Sequence, residues 1–256
     1  MKIATFNANS LRTRLNIITE WLRENAPDVL CIQETKVQDK DFPLPQLADT
    51  GYNVVYKGQK SYNGVAIMSR LPIENIHTGF EEEPQDQARL ITADIAGVSI
   101  INTYIPQGRD IESDMYQYKL QWLERLRIYF KKRFKPTEPV IWLGDFNVAL
   151  EDKDVYSPET LRGSVCFNAQ LTEHFKKVAE FGFTDLFRLH CPDGDNYTFW
   201  DYRVPNGFKR NMGWRLDYIM ATQPLAKKCT KCCIDKAPRA KQKPSDHTFL
   251  VAEFKT

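Results

Sequence analysis

The sequence predicts an α/β protein in which two mostly antiparallel sheets pack face to face, with helices on the outside. Short runs rich in Val, Ile, Thr and aromatic residues recur along the chain, bounded by Gly, Pro, Asn or Asp, as is typical of strands. Helical periodicity interrupts these runs. In addition, Ala4–Asn7 and Gly144–Asn147 both place Phe-Asn at the end of an apolar strand. This weak internal repeat indicates two similar halves, each a sheet with its own helices.

The predicted strands are short and are spread over the whole chain. They cover Lys2–Phe6, Val29–Gln33, Asn53–Lys57, Gly64–Ser69, Leu90–Ile95, Val98–Tyr104, Val140–Gly144, Tyr197–Tyr202, Leu216–Ala221, Cys229–Asp235 and Thr248–Phe254. Short turns separate Asn53–Lys57 from Gly64–Ser69, and Leu90–Ile95 from Val98–Tyr104. Two antiparallel hairpins are therefore expected at these places.

Three segments carry the apolar spacing of a helix. The first begins after Ser10, a predicted N-cap, and has apolar residues at Leu11, Leu15, Ile18 and Leu22. The second is long, covers about residues 116–134 and has a basic outer face. The third covers residues 171–179, and Gly182 is predicted to end it.

Length and composition predict one large globular domain over residues 1–256. The 256 residues are 42% apolar and 27% charged, which is close to the globular average and excludes a disordered chain. No run reaches the roughly 18 apolar residues of a membrane helix. The N-terminus resembles a strand and not a signal peptide. We therefore expect a cytoplasmic protein without membrane contact, or a nuclear one if the source is a eukaryote.

Basic residues are segregated along the chain, although the net charge is only +2, from 35 basic and 33 acidic residues. The segment Lys227–Lys243 holds seven basic residues and one acid, and Arg203–Arg215 holds four basic residues and no acid. The acidic run Glu81–Glu83 offsets part of this charge. Such a pattern suits a face that binds a polyanion, with a solvated Lys-rich surface as the alternative.

Polar side chains recur where apolar strands begin or end. Burying acids beside apolar strands is costly unless they are paired or bound to a metal. Asp, Glu, Asn and His are also the ligand types that Mg²⁺ and Mn²⁺ accept, and such a site is suited to phosphoryl chemistry. The positions are Asn7, Glu34, Asn102 with Tyr104, Asp145 with Asn147, Asp217, and Asp246 with His247.

Five motifs in order resemble those of the exonuclease III/AP endonuclease family. They are Gln33-Glu34-Thr35-Lys36, Asn102–Gly108, Gly144-Asp145-Phe146-Asn147, Gly213–Tyr218 and Ser245-Asp246-His247, and the segment Leu161–Phe167 is also similar. The resemblance extends from Lys2 to Phe254. It implies a four-layer αββα sandwich and Mg²⁺-dependent cleavage of double-stranded DNA 5′ to abasic sites, with Mn²⁺ able to substitute. It also implies 3′→5′ exonuclease or 3′-phosphodiesterase activity. We expect a monomer.

The resemblance assigns the candidate metal site first. Glu34 is expected to be the direct carboxylate ligand, with Asn7 beside it. Asp246 is an additional ligand or part of a second metal site. The remaining candidate ligands are Asp145, Asn147 and His247.

The resemblance also implies catalytic roles at four positions of the same motifs. Asp145 would orient or deprotonate the attacking water, and Asn147 would donate a hydrogen bond to the phosphate. His247 would contact the scissile phosphate, and Asp217 would fix the orientation of its imidazole. The alternative for Asp217 is a buried ion pair with Arg215 or another base.

Substrate contacts are expected from aromatic and basic residues. Tyr104 resembles the family's active-site tyrosine, which holds the phosphate or, as phenolate, assists the leaving group. Phe199, Trp214 and Leu216 match the apolar pocket that accepts a flipped sugar without a base, with ordinary core packing as the alternative. Residues expected to contact the DNA backbone are Gln107, Arg109, Arg203, Lys209 and Arg210.

Two other functions fit parts of the same pattern. A phosphoinositide phosphatase or a sphingomyelinase-like phosphoesterase of the same superfamily would keep the Glu, Asp and Ser-Asp-His positions. Such an enzyme would not need Trp214 beside Leu216. A catalytically inactive DNA-binding module would be expected to lack at least one ligand, and none is missing here.

Overall fold

Two six-stranded sheets face each other in the computed structural model, which describes residues 1–80 and 87–255. In chain order the strands are β1 (Lys2–Asn7), β2 (Val29–Gln33), β3 (Asn53–Lys57), β4 (Val65–Ser69), β5 (Glu74–Thr78), β6 (Leu90–Ile95), β7 (Val98–Tyr104), β8 (Val140–Asp145), β9 (Phe183–Asp185), β10 (Asp217–Thr222), β11 (Cys229–Asp235) and β12 (Phe249–Phe254). The acidic run Glu81–Glu83 lies outside the described residues.

Seven α-helices connect these strands in the described part of the chain. They are α1 (Leu11–Asn25), α2 (Leu44–Ala48), α3 (Asp114–Arg133), α4 (Pro158–Leu161), α5 (Ala169–Ala179), α6 (Leu186–His190) and α7 (Gln223–Ala226). Short 3₁₀ turns occur at Asp39–Asp41, Asp152–Asp154 and Ala237–Ala240. The three helices expected from apolar spacing are confirmed as α1, α3 and α5.

Strand pairing makes both sheets mostly antiparallel. The first sheet has the order β11-β12-β1-β2-β4-β3, and the second has the order β5-β6-β7-β8-β10-β9. Each contains one parallel pair, β1 with β2 and β7 with β8. The predicted hairpins are confirmed as β3–β4 and β6–β7. β1 and β8 also occupy equivalent places, as the internal repeat indicates.

Three clusters of buried apolar side chains hold the four layers together. Aliphatic side chains such as Ile67, Leu143 and Ile219 fill the space between the sheets. On the outer face of the first sheet, Trp21 of α1 stacks on Phe249 with ring centroids 4.0 Å apart. Helices α3 and α5 cover the second sheet over a cluster that contains Trp142. Because both faces of each sheet are buried, the central strands are apolar at nearly every position.

The strand predictions were wrong at three places. Tyr197–Tyr202 is not a strand, and only isolated bridges link Phe199 to Trp214 and His247. β5 was not predicted because all of its residues are exposed and it lacks apolar alternation. β9 has only three residues and is too short to produce a pattern.

Two helix ends differ in detail from the expectations. Ser10 occupies the N-cap of α1, but its hydroxyl makes no capping bond. Its backbone N–H instead donates to the Glu34 carbonyl at 2.8 Å, which ties the helix to the loop after β2. α5 ends at Ala179, three residues before Gly182.

In the described ranges, no helix combines the length and the apolar character required to cross a membrane.

Candidate active site

A buried cluster of two carboxylates and one imidazole lies at one edge of the sandwich. Asp145 ends β8 and pairs in register with Asp217, the first residue of β10. His247 lies two residues before β12, and its Nδ1 is 2.8 Å from Asp217 Oδ2. Its Nε2 is 3.7 Å from Asp145 Oδ2. None of the three residues is more than 5% exposed. The two sheets therefore bring these predicted catalytic side chains together.

The alternative pairing of Asp217 with Arg215 is wrong. The Arg215 guanidinium bonds to Asp154, with Nε 2.8 Å from Oδ1, and to Asp185, with Nη1 2.8 Å from Oδ2. Asp217 instead faces His247. Side chains alternate along an extended segment, so Arg215 and Asp217 could share a face. Only the tertiary structure provides Arg215 with other partners.

Burial and mutual charge shift the pKa values in this cluster. Burial raises the pKa of Asp145 to about 7; His247 opposes this shift, and Asp217 and Glu34 add to it. Burial acts to lower the pKa of His247, but the Asp217 and Asp145 carboxylates raise it to about 10. At neutral pH the imidazole is therefore protonated, and both ring nitrogens are donors. The Nδ1–H faces Asp217, and the Nε2–H lies on the side of Asp145.

Asn7 links this cluster to Glu34. Its Nδ2 donates to Glu34 Oε1 at 2.9 Å and to Asp145 Oδ2 at 2.7 Å. Its Oδ1 accepts from the Asn9 backbone N–H. The structure therefore uses Asn7 as a donor that holds two carboxylates together, and its role as a metal ligand stays a prediction.

Glu34 lies in a strained loop directly after β2. Its φ of 49° falls in the left-handed region, which costs a residue with a side chain about 1–2 kcal/mol. Its Oε2 forms an ion pair with Lys36 Nζ at 2.9 Å. Burial acts to raise the pKa of Glu34, but Lys36 and Asn7 lower it below the usual value. The carboxylate therefore stays ionised at neutral pH.

Asp246 is connected to Glu34 through two polar side chains. Asn9 Nδ2 donates to Asp246 Oδ1 at 2.9 Å, and Asn9 Oδ1 accepts from Lys36 Nζ at 2.5 Å. Lys36 in turn contacts Glu34. The two predicted metal carboxylates therefore belong to one network around the same opening.

The donor set fits a hard divalent cation. Among the described residues, one oxygen or ring nitrogen each from Asp145, Asp217 and His247 lie within 4.8 Å of one another. Asp217 Oδ1 is buried without a hydrogen-bond partner in the described structure. Glu34 and Asp145 also converge on a single amide nitrogen. Carboxylate oxygens, without thiolates, are the ligands that Mg²⁺ and Mn²⁺ accept.

Tyr104 and Asn147 complete the polar floor of the site. Burial raises the pKa of Tyr104 well above its usual value, and Glu34 and Asp145 raise it further. This environment favours the protonated phenol over the phenolate. Asn147 Nδ2 donates to the Ile105 carbonyl at 3.0 Å and is 3.4 Å from Asp145 Oδ2. The Asn147 φ of 51° directs its backbone N–H to Asp145 Oδ1, at 2.9 Å.

An apolar wall borders the polar floor within one cavity of about 590 Å³. Phe199, Trp214 and Leu216 all line this cavity together with Asp145 and His247. The Phe199 ring lies 4.8 Å from the His247 ring, and its backbone bridges to Trp214. The expected aromatic pocket is therefore contiguous with the catalytic cluster.

The predicted backbone-binding residues divide into two groups. Gln107, Arg109 and Arg203 line the same cavity. The Arg203 guanidinium is held by Asp201, with Nη2 2.6 Å from Oδ2. Lys209 and Arg210 are exposed but do not line the catalytic cavity. Arg210 lines a separate cavity of about 580 Å³.

Several residues of the site were given no role from the sequence. Lys36 and Asn9 organise the carboxylates, and Val165 and Cys166 line the cavity. Lys119 is fully buried in α3 and donates to carbonyls of three loops, at Gln107, Asn147 and Val165. Its position between Tyr116 and Leu120 on the apolar face of a helix is a signal that could have revealed it.

Comparisons with known proteins agree with this geometry. The model of the Endonuclease/Exonuclease/phosphatase family matches residues 4–247. The exodeoxyribonuclease III of Haemophilus influenzae is 33% identical over 271 residues, which cover 100% of both chains. An AP endonuclease from Archaeoglobus fulgidus has a TM-score of 0.98 at 50% identity, over 100% of both chains. A Neisseria 3′ phosphatase bound to product DNA hairpin has a TM-score of 0.94 at 35% identity, also over 100% of both chains.

The chain therefore belongs to the endonuclease/exonuclease/phosphatase family, as its two facing sheets and its acid–imidazole cluster already indicated. Its full-length similarity to exodeoxyribonuclease III and to an AP endonuclease confirms the resemblance found in the motifs. It is a hydrolase of that type.

Proposed function

We propose that this protein is a Mg²⁺-dependent DNA-repair nuclease that cleaves the phosphodiester 5′ to abasic sites in double-stranded DNA. The main support is one cavity that is lined both by the apolar wall of Phe199, Trp214 and Leu216 and by the catalytic cluster. We also propose 3′→5′ exonuclease or 3′-phosphodiesterase activity, and one domain over residues 1–256. The cytoplasmic location and the monomeric state stay predictions.

Substrate selection follows from the shape and polarity of the wall. A nucleotide must leave the duplex to reach a buried site, and the cost is lowest where no base pair exists. A sugar without a base presents one apolar face, which suits the aromatic wall. Gln107 and Arg109 at the rim supply polar and cationic groups for the flanking phosphates.

Hydrolysis requires a base, a donor for the phosphate and an orienting group. Asp145 accepts a proton from the attacking water, whose oxygen forms the new bond to phosphorus while the bond to the leaving sugar oxygen breaks. The His247 N–H that faces away from Asp217 donates to a phosphate oxygen, and Asp217 holds the ring in place. Tyr104 and the Asn147 amide donate to the developing charge.

Mg²⁺ fits beside these groups, with Glu34 as the principal carboxylate and Asp246 as an additional ligand or part of a second site. The remaining proposed ligands are Asn7, Asp145 and Asn147. His247 is also a ligand candidate from the sequence, but its ring is protonated at neutral pH and is therefore assigned as a hydrogen-bond donor. When bound, the ion stabilises negative charge on the phosphate. The Lys36 ion pair keeps Glu34 ionised, and therefore ready to bind a cation, across the neutral range.

One assay tests the proposed function. The protein is incubated with a duplex that carries one abasic site, in Mg²⁺ and in EDTA, and with an intact duplex as control. We expect a nick 5′ to the abasic site in Mg²⁺ only. Phosphoinositides and sphingomyelin are tested in parallel incubations. Hydrolysis of either lipid without nicking of the DNA would favour the lipid-phosphoesterase alternative. Tight binding of the abasic duplex without any cleavage would favour the inactive module.

Replacing Glu34 with Gln tests the metal site. The variant keeps the shape and the Asn7 contact but removes the charge. Nicking should fall at least ~10-fold at low Mg²⁺, which is the scale of a lost ligand or a lost partner of a ligand. Excess Mg²⁺ or Mn²⁺ should restore part of the rate. Normal cleavage at sub-millimolar Mg²⁺ would show that Glu34 is not a ligand.

Replacing Trp214 with Ala tests the pocket. We expect weaker discrimination between abasic and base-bearing sites, because a wider wall admits a nucleotide with its base. Metal dependence should not change, since Trp214 supplies none of the proposed metal ligands. If Trp214 only packs in the core, stability should drop by ~3–5 kcal/mol with unchanged selectivity. Thermal melting and the ratio of abasic to intact-site cleavage, measured on one preparation, separate these outcomes.

A further inference from the structure

A buried arginine lies behind the loop that carries Asp246 and His247. Arg239 belongs to the 3₁₀ turn Ala237–Ala240 and is only 9% exposed. Its guanidinium donates a hydrogen bond to the backbone carbonyl of Ser245. Three aromatic rings surround it, with centroid distances of 5.8 Å to Trp200, 5.7 Å to Tyr202 and 5.2 Å to Phe208.

Ser245 connects this arginine to the active site. The Ser245 hydroxyl donates to the Asn7 carbonyl at 2.8 Å and accepts from the His247 backbone N–H at 3.2 Å. On the next residue, the Asp246 carbonyl accepts from the Trp200 backbone N–H at 2.8 Å. The Ser245–His247 loop is thus held on its inner side by β1 and on its outer side by Arg239 and Trp200.

The choice of arginine at this position is informative. Burying a cation is costly unless it is paired or hydrogen-bonded, and Arg239 forms no ion pair within the described residues, where its Nε also lacks a partner. The aromatic rings offset part of that cost through cation–π contacts. A leucine or methionine would fill the same space at lower cost. What an apolar residue cannot supply is the hydrogen bond to Ser245.

We propose that Arg239 is a positioning residue that fixes the Ser245 peptide and thereby keeps Asp246 and His247 in their places. Arg239 does not line the catalytic cavity, so it is assigned no contact with the reacting atoms. The inference rests on the proposed nuclease function only for its kinetic readout. Displacement of a catalytic group by about 1 Å can cost about 100-fold in rate, so a loose Ser245–His247 loop should reduce kcat more than DNA binding.

The kinetic test compares Arg239→Met, which fills the cage without the hydrogen bond, with Arg239→Lys, which keeps a charged donor. Arg239→Met should lower kcat by about 10- to 100-fold with little change in KM. Arg239→Lys should recover part of that loss. Arg70→Met is the matched control because Arg70 pairs with Asp28 at the opposite end of β2, and its kcat should equal that of the parent protein.

A spectroscopic readout separates positioning from stability without any cleavage assay. The chain has four His, so ¹⁵N-histidine labelling gives a simple spectrum. The imidazole proton between His247 Nδ1 and Asp217 should be protected in the parent protein and should broaden or exchange faster in Arg239→Met. A lower Tm with kcat and this signal both unchanged would overturn the proposal and leave Arg239 as a packing residue.

Two further outcomes are also decisive. If Arg239→Met does not fold, Arg239→Leu, which also fills the space without the hydrogen bond, takes its place, and parent-like kcat and imidazole exchange in it would overturn the proposal. If the parent protein does not nick abasic DNA, the proposed nuclease function fails. The imidazole spectra of the parent and the variants then decide the positioning role by themselves.

Discussion

Asp145→Asn is expected to lower kcat for abasic-site cleavage by about 10²–10⁴-fold, the range associated with loss of a general base. The variant keeps the shape of the side chain, and its amide oxygen can still accept from Asn7. Binding of abasic duplex should therefore stay within a few-fold of the parent protein. Single-turnover rates and a DNA-binding titration on the same preparation measure both quantities.

The control for this substitution is Asp94→Asn on β6. Asp94 also accepts two side-chain hydrogen bonds, from Ser99 and Asn75, but lies outside the active site. Its kcat should equal that of the parent protein. Loss of binding and rate together in Asp145→Asn would indicate that Asp145 positions the phosphate and does not act as the base.

His247→Ala should reduce kcat by a factor comparable to that of Asp145→Asn, because the protonated imidazole donates to the phosphate. Asp217→Asn should cost less, since the ring remains and only its orienting partner is weakened.

The rate of the parent protein is also expected to depend on pH. In the parent protein, kcat should rise with pH through about 7 as Asp145 ionises and fall through about 10 as His247 loses its proton.

Asp217→Asn should move the alkaline limb of that profile to lower pH. Asp217 is the main group that raises the pKa of His247, and an opposite charge at hydrogen-bond distance shifts a pKa by roughly one to three pH units. The acid limb should move to lower pH as well, because Asp217 also raises the pKa of Asp145. A profile with an unmoved alkaline limb would contradict the assignment of His247 as the protonated donor.

The acidic residues of the site could be predicted because strands with two buried faces tolerate few charges. Asp145, Asp217 and His247 follow or precede apolar strands, where a charged group needs a partner, and the structure brings all three within 4.8 Å. Lys209 and Arg210 do not line the catalytic cavity, and their contact with the DNA backbone stays a prediction. The prediction of a strand at Tyr197–Tyr202 was wrong. Aromatic residues are frequent in strands, but here Phe199 forms part of a cavity wall.

The sequence alone determined the α/β class, the ten matching strands, the three main helices and the acidic and histidine residues of the candidate site. The alternation of apolar and polar residues in strands, the apolar spacing of helices and the cost of burying a charge all depend on a few neighbouring residues. These features can therefore be read from the sequence. Only the tertiary structure decided that Asn7 donates to Glu34 and Asp145, that Arg215 avoids Asp217, and that Arg239 holds Ser245. These contacts join residues from different layers, and their geometry depends on how the two sheets pack.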